Sequence, residues 1–136
     1  MDKFNLKNLI ANHAIIFTSI DSEISIHIFM ESFFYKGEIQ SPIIKIDNID
    51  IPSTKLNDLV NKSLAFNEGD LFGSIYLDNV HHPIDILNLS FFLSRQNTLN
   101  IVTKGIYDFS YEGLDGLFKE AFVLKTLLSS CDVNPD

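Results

Sequence analysis

The sequence predicts an α+β fold that is predominantly antiparallel β, a sandwich or barrel-like sheet with one or two short helices. Three observations predict it. Apolar and polar residues alternate with a period of two along most of the chain. Clusters of Gly, Pro, Asn and Asp separate the alternating segments. Helical spacing is confined to short stretches.

The elements follow in order. His13 to Ile20 is apolar and rich in β-formers, and Asp21-Ser22 makes a tight connection. Glu23 to Met30 then sets Ile24, Ile26, Ile28 and Met30 on one face and Ser25 and His27 on the other, so the two segments read as a hairpin. Ile43, Ile44 and Ile46 repeat the pattern before a polar Asp47-Asn48, and Ile49 and Ile51 follow. Pro52 ends it, because proline cannot donate to a central ladder. Ser53 or Thr54 can cap a short helix from Thr54 to Asn61 that carries Leu56, Leu59 and Val60. Asn67-Glu68-Gly69-Asp70 is a turn cluster. Leu71 to Asp78 reads as a strand, with Gly73 at a bulge or under a close neighbour.

Asn79 to Pro83 reads as a loop, and Ile84 to Leu93 as a strand with Leu87, Leu89, Phe91 and Leu93 on one face. Ser94 to Asn97 turns the chain into a strand from Leu99 to Tyr111, with Leu99, Ile101, Tyr107, Phe109 and Tyr111 together. The glycines of Glu112-Gly113-Leu114-Asp115-Gly116 permit positive φ and a sharp turn. The segment after it fits either period. Phe118, Phe122, Leu124 and Leu128 alternate, while Leu114, Leu117, Phe118, Ala121 and Phe122 have helical spacing; the preceding strand and turn favour a strand. A helix over Asp2 to Ile10 would be the second one.

With 136 residues the chain has the size of one domain, 1–136, with 131–136 as a polar tail. A chain this long can bury a sizeable core without metals or disulfides. Ten basic and 18 acidic residues give a net charge of −8, which repels phosphate backbones and argues against direct nucleic-acid binding. The same charge speeds encounter with a basic protein. The single cysteine, Cys131, precludes an internal disulfide and fits a reducing, cytoplasmic setting. No stretch is apolar for long enough to read as a signal peptide or membrane span.

Motifs for catalysis are weak. His81, His82 and Asp85 are the best metal candidates, but adjacent residues in an extended segment face opposite ways. His13 and His27 read as strand-edge residues. No Gly-x-Ser-x-Gly elbow or phosphate-cradling loop occurs, and Cys131 sits in the expected tail. Asp47/Asp50 and Glu112/Asp115 have the spacing of turn residues. The expectation is therefore a non-enzymatic binding protein with no cofactor. Phe33, Phe34 and Tyr35, beside Lys36-Gly37-Glu38, could serve as an aromatic anchor, although Phe33 and Phe34 read better as core.

Gly69-Asp70-Leu71-Phe72-Gly73-Ser74-Ile75-Tyr76-Leu77-Asp78-Asn79-Val80-His81-His82-Pro83-Ile84-Asp85-Ile86 and Asp108-Phe109-Ser110-Tyr111-Glu112-Gly113-Leu114-Asp115-Gly116 cover much of the second half. These stretches resemble immunity proteins of contact-dependent growth inhibition and other polymorphic toxin systems. The resemblance implies a cytosolic protein that binds the toxic C-terminal domain of a cognate effector, often a nuclease, and occludes its active site. Within those stretches Asp70, Tyr76, Asp78, His82, Asp85, Tyr111, Glu112 and Asp115 are the candidate partner contacts. Binding could be electrostatic occlusion or addition of a toxin strand to an open sheet edge. The alternatives are an acidic secretion chaperone, which a C-terminal helix over Leu114 to Leu128 would favour, and a phage or mobile-element accessory binding protein. Neither nucleic acid nor membrane is an expected partner, and the sequence leaves the oligomeric state open.

Overall fold

Alternation this persistent leaves each strand with one apolar face, and seven strands hide those faces by closing on themselves. The computed structural model describes residues 3–111 and 113–131. It contains a short 3₁₀ turn (Leu6–Asn8), then β1 (Ala11–Thr18), β2 (Ile24–Met30), β3 (Phe33–Tyr35), β4 (Glu38–Gln40), β5 (Ile43–Ile46), α1 (Leu56–Leu59), β6 (Ser63–Ala65), β7 (Phe72–Leu77), β8 (Val80–Leu93), β9 (Leu99–Asp108) and β10 (Lys119–Cys131). The strands β1-β2-β5-β7-β8-β9-β10 run antiparallel in sequence order, and β10 closes the barrel on β1 in parallel. Inward residues from all seven strands, among them Ile16, Ile26, Ile44, Ile75, Ile84, Ile101 and Leu128, fill the interior. The β-rich reading is correct and the barrel is the observed form; the last element is the strand β10.

Two insertions decorate the barrel. The β3–β4 hairpin lies between β2 and β5 and forms its own two-stranded sheet. The segment between β5 and β7 carries α1 and β6, and β6 pairs with the far half of β8. The chain therefore changes neighbours along β8: residues 80–85 pair with β7, and residues 88–90 pair with β6. A register shift between Ile86 and Asn88 marks the fork. The extra residue, Leu87, reverses the facing pattern. Buried positions are His82, Ile84 and Ile86 before it, and Leu89 and Phe91 after it. A single face shared by Leu87, Leu89, Phe91 and Leu93 is thus corrected: Leu87 is only half-buried and Leu93 is exposed.

Other expectations also change. Asn79 to Pro83 is not a loop. Asp78 (φ 50°) and Asn79 (φ 65°) form a two-residue turn with both φ positive, and β8 begins at Val80. Pro83 pairs with Ser74 on β7, and the β8–β9 register starts one residue later, which accommodates its missing amide. The first helix shrinks to Leu56–Leu59, with Lys55 as N-cap and no side-chain cap. The N-terminal helix reduces to Leu6–Asn8, while Met1 and Asp2 lie outside the described residues. Tyr111 lies beyond the end of β9 and is exposed. Cys131 is not in a tail but ends β10 opposite Phe17, and residues 132–136 lie outside the described residues. His27 is no edge residue: it is buried in mid-strand, where its ring meets Phe17 edge-on at 4.8 Å.

One end of the barrel is sealed by aromatic rings. Phe4 packs edge-on against Phe33, Tyr35 and Phe109, and Phe109 in turn meets His82. Both glycines facing a neighbouring strand permit close approach. A Cβ on Gly73 would stand 2.8 Å from the Lys45 carbonyl oxygen, which confirms the close neighbour expected there. A Cβ on Gly105 would stand 2.5 Å from the Asp85 carbonyl oxygen and 2.9 Å from the Phe122 ring. Phe122 is the cross-strand partner of Gly105 and stacks on Tyr107 at 4.2 Å, filling the space that a side chain would need. Gly105→Ala is expected to lower the unfolding free energy by about 1–3 kcal/mol, read from urea denaturation; a loss near zero would show that the wall yields freely there.

Candidate protein-binding groove

The outer face of the wall β7–β8–β9–β10 is set by register. Phe72 lies opposite Asp85, Asp85 opposite Ile106, and Ile106 opposite Ala121. Next to that row, Asp108 pairs with Lys119. Phe72, Asp85, Ile106, Asp108 and Lys119, with Glu68, Pro83 and Tyr111, line a groove of about 210 Å³. Three carboxylates against one ammonium make it anionic. Phe72 and Tyr111 are both exposed and give it an aromatic rim.

Local chemistry holds the groove in shape. Both oxygens of Asp85 accept the Gly69 N–H at 3.2 Å, which fastens the 67–70 turn against β8 and sets Glu68 at the rim. Gly69 has φ 87°, a conformation glycine adopts without strain. Asp108 caps the turn after β9 by accepting from the Ser110 hydroxyl and, at 3.0 Å, from its backbone N–H. Those hydrogen bonds, aided by Lys119, hold the Asp108 carboxyl below the usual carboxylate range. Asp108 therefore keeps its negative charge in mildly acidic solution.

The candidate contact residues divide by position. Asp85 and Tyr111 lie in the groove. Asp70 is exposed in the adjoining turn, where it accepts the Asn67 N–H at 3.2 Å. Tyr76 lies further along the outer face of β7, its ring tilted on His81 at 4.6 Å, in a second groove of about 420 Å³ with Ser41, Pro42, Ile43, Lys45 and Ser74. Asp78 occupies the β7–β8 turn and pairs with Lys36 at 3.3 Å. His82 points inward and is buried under Phe109, so it is no surface contact. Glu112 lies outside the described residues. Glu68, Asp108 and Phe72 complete the groove without having been singled out as contacts. Glu68 read only as part of a turn cluster, and Phe72 and Asp108 only as strand residues within the resembling stretches.

Asp115 has a structural task. Its carboxylate accepts from the Tyr35 hydroxyl at 2.6 Å and from the Phe4 backbone N–H, joining the N-terminal segment, the β3–β4 hairpin and the β9–β10 connection. The Tyr35 hydroxyl, the Phe4 amide and the nearby Lys36 and Lys3 ammoniums lower the Asp115 carboxyl. Burial, then the same carboxylate, raises the Tyr35 phenol. The hairpin also differs from its reading as core plus anchor: Tyr35 is buried, Phe33 is half-buried, and Phe34 is exposed.

Histidine and carboxylate groups do not gather for metal chemistry. His81 is exposed on the outer face, His82 is inside, and Asp85 is engaged by Gly69. Among the described residues no group of three or more His, Cys, Asp or Glu side chains could hold a metal ion. Among the described residues no helix is long and apolar enough to cross a membrane. No protein-family model, curated protein or solved structure matches the chain.

Because the folded-state carboxyl of Asp115 lies below its unfolded value of 3.8, its contribution is fully present above that pH and is lost as pH falls through the folded value. Asp115→Asn should lower stability at neutral pH by about 1 kcal/mol, a modest figure because the carboxylate faces solvent. It should also flatten the fall in stability below pH 4 (approximately the unfolded carboxyl value). Urea titrations across acidic pH measure both; an unchanged acid slope would remove the latch from the account.

Proposed function

We propose that this chain is an immunity-type binding protein that neutralises the toxic domain of a cognate bacterial effector by covering its basic active site. The observation that carries the reading is the groove, where the carboxylates of Glu68, Asp85 and Asp108 lie beside exposed Phe72 and Tyr111. Aromatic side chains at a partly desolvated centre supply most of the affinity in protein interfaces. Clustered negative charge steers a positive partner and raises the on-rate. A nuclease cleft, built to hold phosphates, offers such positive charge. On this reading the protein acts in the cytoplasm, without a cofactor, beside the toxin domain it binds.

Electrostatic occlusion is favoured over strand addition. The anionic groove supports that preference, and open strand edges are few: among the described residues they are the β1-facing edge of β10 before Leu128, the outer edge of three-residue β6 and the β3–β4 hairpin. The secretion-chaperone alternative would be favoured by a helix over Leu114 to Leu128, and that span is largely β10. A metal enzyme centred on His81, His82 and Asp85 would need those side chains to converge, and His82 points inward while His81 and Asp85 lie on the outer face.

Co-expression with the product of the adjacent upstream gene should yield a stable 1:1 complex. Glu68→Lys should slow association about tenfold at low salt, with little effect at high salt or on thermal unfolding. Tyr111→Ala should instead speed dissociation, costing about 2 kcal/mol of binding. A neighbour that is not toxic, or that fails to copurify, ends the immunity reading.

A further inference from the structure

Beyond the groove the same outer wall changes character, with Ile106 at the boundary between the two. On β8 the outward positions 88, 90 and 92 are Asn, Ser and Phe; on β9, positions 100, 102, 104 and 106 are Asn, Val, Lys and Ile. On β10, positions 121 to 129 contribute outward Ala121, Val123, Lys125, Leu127 and Ser129. No Asp or Glu occurs at any of them, in a chain whose net charge is −8. Lys104 lies opposite Val123, and Lys125 lies opposite Val102, so the two ammonium groups are diagonal neighbours. Neither forms an ion pair with a carboxylate among the described residues; Lys125 instead stands over the Phe92 ring at 5.0 Å. Val123 is 64% exposed and Leu127 49%. An antiparallel wall facing only water is expected to be polar at its outward positions, and here Phe92, Val102, Ile106, Ala121, Val123 and Leu127 are apolar.

We infer that the outer wall of β8, β9 and β10 is a second docking surface, and that it takes an acidic polypeptide segment carrying aliphatic side chains. Charge complementarity selects that occupant. Lys104 and Lys125 supply two like charges a diagonal apart, and aliphatic groups flank them, so a segment alternating carboxylates with aliphatic residues matches both features. A phosphate backbone would meet the same two lysines but would leave Val102, Val123 and Leu127 without apolar partners. The carboxylates of the adjoining groove would repel such a segment, which confines it to the part of the wall around Lys104 and Lys125. The proposal does not depend on the identity of the groove's partner.

The test is titration of the ¹⁵N-labelled full chain with a capped octapeptide of alternating Glu and Val, followed by amide shifts. Shifts should centre on residues 100–106 and 121–127 and should weaken as salt rises. Lys104→Glu combined with Lys125→Glu should weaken binding at least about tenfold while leaving the spectrum folded. Val123→Ser, which keeps both charges, should weaken it by a smaller factor. Shifts that lie elsewhere, or that survive the double reversal, overturn the proposal. So does a wall that instead mediates concentration-dependent self-association or binding to vesicles of phosphatidylserine and phosphatidylcholine, with no response to the peptide.

Discussion

An odd number of strands joined as a meander can close only if the first and last run in the same direction. Seven strands meet that condition here, and the parallel pairing of β1 with β10 completes the ring. Everything else follows from closure. The interior becomes a packed core of branched aliphatic and aromatic residues, so chemistry is left to the outer walls and the two ends. Connections at those ends carry many of the acidic residues, including Asp21, Asp47, Asp78 and Asp115. Closure thus turns a scattered acidic sequence into a molecule whose surface is organised by strand register.

Two devices position the candidate groove within that frame. The first is the fork on β8, where the bulge at Leu87 lets β6 and β7 share one long strand end to end. The turn between them, residues 67–70, is thereby carried over the outer wall, where Asp85 grips it. The second is the abrupt end of β9, where Asp108 and Ser110 turn the chain outward and leave Tyr111 exposed. A carboxylate cluster and two exposed rings therefore arise from two independent turns meeting on one face. Asp115 does comparable work at the barrel end, but for stability, by tying three segments to a single carboxylate.

The legible parts of the fold were those governed by local pattern. β2 and β9 announced themselves by alternation, β1 by a run of apolar β-formers, and β7 by the turn cluster that precedes it. β3 and β4, three residues each, are too short for a period to register, and their turn depends on Lys36 and Gly37 both adopting positive φ. The Asp78-Asn79 turn escaped notice because it contains no glycine. The facing of β8 was misread because an extra residue inverts the alternation, and only pairing with two different neighbours reveals why. β10 had two compatible periods, and closure on β1, a contact more than a hundred residues away, selects the strand. Asp85 and Tyr111 could be picked from charge and aromaticity, but His82 could not be excluded until its facing was known. Phe72 gave no sign in the sequence, since an outward phenylalanine on a strand has the same neighbours as an inward one.

If the anionic, aromatic groove is the working surface, it must be what a partner covers. Hydrogen–deuterium exchange on the chain alone and on its complex with the product of the adjacent upstream gene measures this directly. Added protection should fall on residues 67–72, 83–86 and 106–111, with β6 and the tip of the β3–β4 hairpin unchanged. Protection confined to residues 34–39 or 63–65, with the groove exchanging as before, would contradict the account.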